Sequence, residues 1–488
     1  MRTLLFTAFL VISAAGLSAQ QSGSVTATQL PVPGTTTSIN TLNPSVTVQG
    51  PYGGSVSSVE AMPFSGRLSL TDALARGLGY NLGLIDATTA ARGVEGDAHN
   101  ARSALLPHAD VEYTQTRRDA NLAAAGIQIT LPLPGFAFPT LVGPFNVVDV
   151  RGRLSQSILN MSNWETFQAA RESVREGEFL VQDAKDQVTL AVAAAYLQVL
   201  TSQARVVSAR AQLETAEALD NQTAAQRRVG LVAQIDVNRT QVEVLTQRQR
   251  LVSLQTDLAR QKITLARLTG LPPTDQYEVA GDVPYAAAPE LALDEAVSGA
   301  LAQRADVKAA DAALRAAERG RASASAERLP SASVSADYGA LGNDFGSVRR
   351  TFAVVGTVRV PLWEGGRIEA RVQRADATLR QRRAERENVR AQTTADVRNA
   401  WLEVQAATSQ VELAKTNLST VRETLDLTRQ RFQAGITDSL EVVRAQESVA
   451  TADLDYINSV FAHNLAKLAF ARAVGRAATD LERFLVVR

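Results

Sequence analysis

Histidine and cysteine are the residues that most often bind metals or supply nucleophiles, and this 488-residue chain has three histidines and no cysteine. His99 and His108 lie nine residues apart and His463 is remote from both, so no His-Glu-x-x-His or paired-ligand spacing occurs. Without cysteine there is no thiol nucleophile, disulfide, thiolate metal site or acylated N-terminal cysteine. We therefore predict solvated or packed histidines, no metal site, no cofactor and no enzymatic activity.

Two short segments resemble sites for nucleotides or nucleic acids. The run 77–83 is one residue away from a dinucleotide-binding fingerprint, but its duplicated copy carries side chains where the glycines stand, which favours a plain helix. The charge-dense run 380–387 alternates in sign, as exposed helix faces do. Because 50 basic and 50 acidic residues give a net charge of +0, we predict no nucleic-acid partner.

The N-terminal segment has the composition of an export signal. Residues 1–19 contain a basic start, an apolar core and a small-residue end, which predicts a secretory signal peptide cleaved after Ala19. Residues 20–66 are rich in Ser, Thr, Gly and Pro and have no sustained periodicity. We predict an extended or flexible lead-in there.

Proline positions predict two very long helical regions. All sixteen prolines lie outside the windows 160–271 and 362–488. An interior proline costs a helix ~3 kcal/mol, so both windows can be helical throughout.

Glycine positions reveal an internal duplication. The intervals from Gly230 to Gly270 and from Gly435 to Gly475 are both 40 residues long. With an offset of 205, the residues that follow Gly230 match those that follow Gly435, including an arginine and a glutamine further on. Upstream the offset is 223, because the first copy has a longer insert.

Apolar residues also recur every seven positions in both copies. The first row is Val192, Val199, Val206 and Leu213, and the offset of 205 gives Val397, Val404, Val411 and Leu418. A sustained heptad row predicts helices that supercoil around their neighbours.

Each copy is predicted to contain a helix, two alternating strands, a very long helix, a tight turn and a returning helix. The predicted helix bounds are 68–105, 160–229 and 231–269 in the first copy and 290–328, 365–434 and 436–474 in the second. The predicted strands contain Val111 and Tyr113; Val148, Val150 and Leu154; Val334, Ala336 and Tyr338; and Phe352 through Leu362. Four strands cannot close a transmembrane barrel, which needs about eight, whereas three chains would supply twelve.

The junction between the last strand and the second long helix carries a family signature. The six residues Pro361, Leu362, Trp363, Glu364, Gly365 and Gly366 form the Pro-Leu-aromatic-acid-Gly-Gly pattern. The turn at 431–436 has the form Arg-aromatic-x-x-Gly-apolar, and residues 227–231 repeat it in part. Over roughly residues 66–480 the chain resembles the TolC-type outer-membrane efflux proteins. Residues 157–162 depart from the junction pattern, because they lack the proline and both glycines.

The resemblance implies a mainly α fold with a small β part. Long coiled-coil helical hairpins would form an α-barrel, and four strands per chain would form a 12-stranded transmembrane β-barrel in a homotrimer. It also implies location in the outer membrane of a Gram-negative-type bacterium, in contact with outer-membrane lipid, with a large periplasmic part. A periplasmic adaptor and an inner-membrane efflux pump are the implied partners of a passive conduit for efflux or secretion. Without the cysteine of lipid-anchored relatives, the strands alone would hold the chain in the membrane.

The resemblance also assigns roles to residues at the two helical turns. Gly230, Leu231, Gly435 and Ile436 would form the periplasmic tip that docks the adaptor. A glycine allows the chain to reverse there and leaves an apolar neighbour exposed. A hairpin turn that binds no partner is the alternative.

One turn inside the tip lie Asp236 and Glu441, where family members carry inward acidic side chains. Arg239 and Arg444 follow three residues later. We expect these four residues to form a closed-state latch of salt bridges between helices. Surface ion pairs are often worth only ~0–1 kcal/mol, so an unlatched tip is the alternative.

The predicted organisation has two repeats flanked by short segments. Its parts are a signal peptide at 1–19, a lead-in at 20–66, the first repeat at 67–271, a linker at 272–289, the second repeat at 290–476 and a tail at 477–488. The competing function is a periplasmic coiled-coil adaptor or scaffold without a pore. Such a protein needs neither the alternating strands nor the junction signature.

Overall fold

The computed structural model describes residues 23–32, 41–56, 64, 66–124, 126, 140–272, 277–282, 285–289 and 291–485. Its helices are α1 (Leu70–Tyr80), α2 (Leu82–Ser103), α3 (Met161–Arg228), α4 (Gln234–Thr269), α5 (Leu293–Gln303), α6 (Ala305–Ala326), α7 (Arg367–Gln433), α8 (Ser439–Ala473) and α9 (Leu481–Phe484). Its strands are β1 (Val25–Val32), β2 (Thr41–Val48), β3 (Arg67–Leu68), β4 (His108–Asn121), β5 (Leu141–Leu159), β6 (Glu278–Val279), β7 (Ser331–Gly342) and β8 (Arg349–Arg359). The predicted signal peptide lies outside the described residues.

One very long helix in each repeat confirms the helical windows. Helix α3 has 68 residues and α7 has 67, or about 100 Å each at 1.5 Å per residue. Both begin and end within two residues of the predicted bounds. The returning helices α4 and α8 begin three residues later than predicted, because the chain first completes the turn.

The two long helices begin with different caps. The Asn160 side chain accepts a hydrogen bond from the backbone N–H of Asn163 at 3.0 Å and starts α3. Before α7, Gly365 and Gly366 have φ angles of 61° and 82°, which favour glycine. The first repeat therefore begins its long helix without the junction signature.

The predicted single helices over 68–105 and 290–328 are wrong, because each is divided in two. At the first break the Asn81 side chain donates to the carbonyl oxygen of Tyr52 at 2.8 Å and accepts from the N–H of Gly83 at 2.9 Å. At the second break Arg304 forms ion pairs with Asp306 and Asp396. These side chains stabilise bends that periodicity does not reveal.

The described part of the predicted lead-in at 20–66 is extended, and it packs against the helices instead of lying free. Strands β1 and β2 form an antiparallel hairpin that contacts α3 and α8, and Val25 is buried. Tyr52 packs where a Cβ on Gly83 would stand, since its Cδ1 would be 2.3 Å away. The segment is ordered because it covers apolar surface of the helices.

The main core lies midway along α3. Nearly every residue from Val188 to Thr201 is buried, as is every residue of α8 from Ser459 to Leu468. Val192 and Val199 of the predicted heptad row are fully buried here. A Cβ on Gly77 would approach Cγ2 of Val192 to 2.5 Å, so this glycine of the run 77–83 serves close helix packing.

Helix α3 packs in the core, although its composition would also allow it to span a membrane. Among the described helices it is the one long and apolar enough to cross a bilayer, but 67% of its apolar window is buried inside the protein. Packing inside the protein therefore explains the apolar residues of α3.

His463 is packed in the core beside a lysine one turn away. Its ring lies 5.0 Å from the ring of Tyr285, and neither nitrogen has a hydrogen-bond partner among the described residues. Burial, helped by the nearby Lys467, lowers the pKa of His463 to about 4. The Lys467 ammonium donates to the carbonyl oxygen of Ala286 at 2.9 Å, and burial lowers its pKa to about 8.

We expect His463 to make the folded helices less stable in acid. An unfolded histidine binds a proton below about pH 6.5, whereas folded His463 stays neutral until about pH 4. The contribution of His463 to the free energy of unfolding is therefore fully present above about pH 6.5, and it falls by about 2 kcal/mol between pH 7.5 and pH 5. Urea unfolding followed by circular dichroism gives the free energy of unfolding at both pH values. The difference between the two values should be smaller for His463→Leu than for the parent. The exposed His99→Leu should behave like the parent, and equal pH dependence in both variants would contradict the assignment.

Candidate transmembrane sheet and helical tip

Four antiparallel strands, two from each repeat, form one sheet in the order β4-β5-β7-β8. The central β5–β7 pair joins the repeats, with Gly152 opposite Tyr338. Strands β4 and β8 have no further strand partner in the described part of the chain. The sheet therefore has two open edges, which natural proteins normally cover or pair.

One face of this sheet is apolar and exposed. The row Val111, Gly152, Tyr338 and Phe352 crosses all four strands, and Val354 lies on the same face of β8. Val111 is 79% exposed and Phe352 is 77% exposed. A contiguous apolar face of this size indicates contact with a membrane or another protein.

The opposite face carries charges in ion pairs. Arg151 pairs with Asp337 on the neighbouring strand and with Asp149 at 3.3 Å. Arg153 pairs with Glu112 at 2.6 Å. Apolar and charged residues thus alternate along the strands, as they do in a membrane barrel with a polar interior.

The predicted junction residues lie where β8 passes into α7. Leu362 and Trp363 project from the surface, and Trp363 is 87% exposed. Gly365 and Gly366 turn the chain, while Pro361 ends the strand. Exposed tryptophan at the end of an apolar strand is typical of a membrane–water interface.

The predicted tip residues lie side by side at the far end of the helices. Gly230 and Gly435 have φ angles of 77° and 71°, and Leu231 and Ile436 are 74% and 67% exposed. Beneath them an apolar cluster joins the two hairpins; it contains Leu219, Leu425, Phe432, Val442 and Ala445. The structure thus brings both turns to one surface.

The predicted latch residues are only partly brought together within one chain. Asp236 pairs with Arg239 of its own helix at 3.4 Å. Glu441 and Arg444 are exposed and form no ion pair with another described residue. No salt bridge between helices therefore links these four residues in the single chain, and pairing with a second chain stays a prediction.

One polar contact that connects the two hairpins near the tip was not predicted. The Ser439 hydroxyl donates to Oδ1 of Asp236 at 2.9 Å. The offset of 205 places Ser439 over Gln234, so the duplication gives no signal for this serine. Asp438 was missed as well; its side chain caps α8 by accepting from the N–H groups of Leu440 and Glu441.

A polar cavity of about 310 Å³ separates the hairpins above the tip. Gln247 donates to Glu243 at 2.7 Å, whereas both side-chain polar atoms of Gln446 lack a partner among the described residues. Burial, with repulsion from Glu243, raises the pKa of Glu447 nearby. The hairpins are thus less tightly packed here than in the main core.

Comparison with known proteins agrees with this geometry. Residues 296–476 match the family model described as outer membrane efflux protein. The chain is 26% identical over 291 residues to the pyoverdine export outer membrane protein OpmQ of Pseudomonas putida, a match over 58% of this chain and 61% of that protein. It is 25% identical over 407 residues to the outer membrane efflux protein BepC of Brucella suis, over 78% and 87% of the two chains.

A solved outer membrane channel has the same fold. The CmeC channel of Campylobacter jejuni superposes with a TM-score of 0.71 at 16% identity, over 84% of this chain and 86% of that one. At this identity the likeness concerns the fold alone. Residues 296–476 therefore form an outer membrane efflux protein domain, and the relatives together with the fold indicate the outer membrane.

Proposed function

We propose that the chain forms a homotrimeric channel that serves as a passive conduit from the periplasm to the exterior. Three four-stranded sheets would close a 12-stranded barrel, and the helices would continue it as a periplasmic tunnel. No catalytic step is required of the chain itself. Energy would come from an inner-membrane pump reached through a periplasmic adaptor.

The sheet with one apolar and one ion-paired face carries this proposal. An exposed apolar face is stable in lipid, and a charged face is stable along a water-filled bore. The open edges of β4 and β8 would be paired by neighbouring chains, because a closed cyclic oligomer leaves no edge unpaired. An adaptor or scaffold without a pore would not need a sheet with one apolar and one charged face.

The adaptor would dock at the tip through Leu231 and Ile436. Both side chains are large, apolar and exposed on one surface. We expect a photoreactive residue at either position to cross-link to a periplasmic protein in cells, whereas one at Leu106, near the sheet, should not. Equal cross-linking from Leu106 would contradict docking at the tip.

Extraction and conductance test the proposed function. The full chain should be extracted by detergent from outer membranes as a trimer and should conduct ions in planar bilayers. A monomer in the soluble periplasmic fraction would refute the channel and favour the adaptor or scaffold.

The latch proposal predicts a tip that opens more readily without its arginines. We expect Arg239→Gln/Arg444→Gln to increase the open fraction of single channels severalfold, because each ion pair that is removed contributes ~0–1 kcal/mol to the closed tip. A matched control, Arg374→Gln/Arg398→Gln, removes two exposed arginines of α7 away from the tip. Unchanged conductance and unchanged drug sensitivity in the first variant would exclude the latch.

A further inference from the structure

The apolar face of the sheet contains an open groove of about 830 Å³. Gly152 forms its floor, because the neighbouring strands carry Val111 and Tyr338 in the same cross-strand row. Leu154 and Phe352 line the groove as well. A Cβ on Gly152 would meet no atom closer than 3.7 Å, so packing does not require glycine here. Its walls are mainly apolar, which suits a hydrocarbon chain.

Four charged residues line the same groove, but strand alternation places the side chains of Asp110, Arg153 and Asp337 on the opposite face and leaves Arg350. Arg350 lies two residues before Phe352 on β8, so strand alternation places both on the apolar face. It stands at the end of the sheet away from the helices, opposite Ala340. On a lipid-facing surface, arginine is tolerated near the interface, where lipid headgroups lie, and is costly at the midplane.

The surroundings of Arg350 favour an anion. The charged side chains described at this end of the sheet are Arg117, Arg118, Arg349, Arg350, Asp119, Asp149 and Asp344. Asp149 already pairs with Arg151 at 3.3 Å. Asp344 accepts hydrogen bonds from the N–H groups of its own turn, at 2.9 Å from Gly346. Arg117 lies four residues after Tyr113 on β4 and therefore on the same, apolar face, where it adds a second cation.

We propose that this groove binds a phosphorylated, acylated lipid of the outer leaflet, with an acyl chain along Gly152 and a phosphate on Arg350. The inference rests on the proposed insertion of the sheet in the membrane. A guanidinium donates two parallel hydrogen bonds to phosphate oxygens, and the apolar walls cover the chain. The groove lies within the sheet of one chain, so it exists before any trimer closes.

Binding of a fluorescent diphosphorylated lipid A to the purified full chain in neutral detergent tests the site. We expect Arg350→Gln to weaken binding about fivefold, the effect of one interfacial cation. Gly152→Leu fills the groove and should weaken binding about tenfold. Arg349→Gln is the matched control, because it removes a charge from the same end of β8 on the opposite face and should change binding less than about twofold.

Three results would overturn the site: equal effects of Arg350→Gln and Arg349→Gln, equal binding of a dephosphorylated lipid, or displacement by millimolar inorganic phosphate alone. Conductance of the same preparations separates this inference from the proposed function. Normal conductance with unchanged lipid binding in both groove variants refutes the lipid site alone. Selective lipid binding without any conductance supports the site and refutes the channel.

Discussion

Replacing Val354 by arginine is expected to prevent stable assembly of the protein in the outer membrane. Val354 lies on the exposed apolar face, between Arg350 at one end of β8 and Trp363 beyond the other. A lipid-facing arginine near the bilayer midplane costs about 2–4 kcal/mol. Each chain of a trimer would bear this cost, so the total is roughly 6–12 kcal/mol.

The matched control for Val354→Arg lies three residues away on the other face. Thr357 lies on the face opposite Val354 and pairs with Ser333, so Thr357→Arg places the same charge on the face that would line the proposed bore. The amount of folded trimer extracted from outer membranes should fall strongly in the first variant and little in the second. Equal loss in both variants would show that the apolar face is not the one in contact with lipid.

Removing Arg304 is expected to produce the largest loss of stability in the helical part. Arg304 is 6% exposed and donates to both oxygens of Asp306, at 3.0 and 2.6 Å, and to Asp396 at 3.1 Å. It also donates to the carbonyl oxygen of Ala473 at 3.4 Å and so joins the α5–α6 break to α7 and α8. Burial by itself would raise the pKa of Asp306, but the hydrogen bonds and charge of Arg304 lower it.

We expect Arg304→Ala to lower the free energy of unfolding by about 3 kcal/mol, because it leaves two carboxylates without their cation. The value lies at the low end for buried pairs, since both carboxylates are partly open to solvent. Urea unfolding followed by circular dichroism measures the change. Arg398→Ala, at an exposed position of α7, should cost less than about 0.5 kcal/mol. Similar losses in the two variants would contradict a structural role for Arg304.

Local chemistry explains why the long helices were predictable. Proline and glycine act on the backbone within a turn or two, so the absence of proline indicated α3 and α7, and Gly230 and Gly435 indicated the tip turns. Heptad spacing likewise identified Val192, Val199 and Val397 as core residues, because a helix repeats its faces at a constant angle. The alternating strands and their apolar face were predictable for the same reason.

The remaining features depend on residues far apart in the chain. The hairpin of β1 and β2 is ordered because it packs on α3 and α8. The composition of the hairpin itself does not reveal that contact. The breaks at Asn81 and Arg304 depend on Tyr52 and Asp396, which lie 29 and 92 residues away from them. Each such contact requires long loops to close, so no pattern within a short window can reveal it.

The sequence by itself determined the duplication, the long helices, the tip turns and the resemblance to the efflux proteins, because each depends on spacing along the chain. Tertiary structure alone decided that β5 pairs with β7 across the two repeats and that one groove holds both Gly152 and Arg350. It also decided that Ser439 reaches Asp236 and that Glu441 and Arg444 form no ion pair with another described residue. Pairing between strands and hairpins is set by complementary surfaces, and those surfaces exist only after the chain has folded.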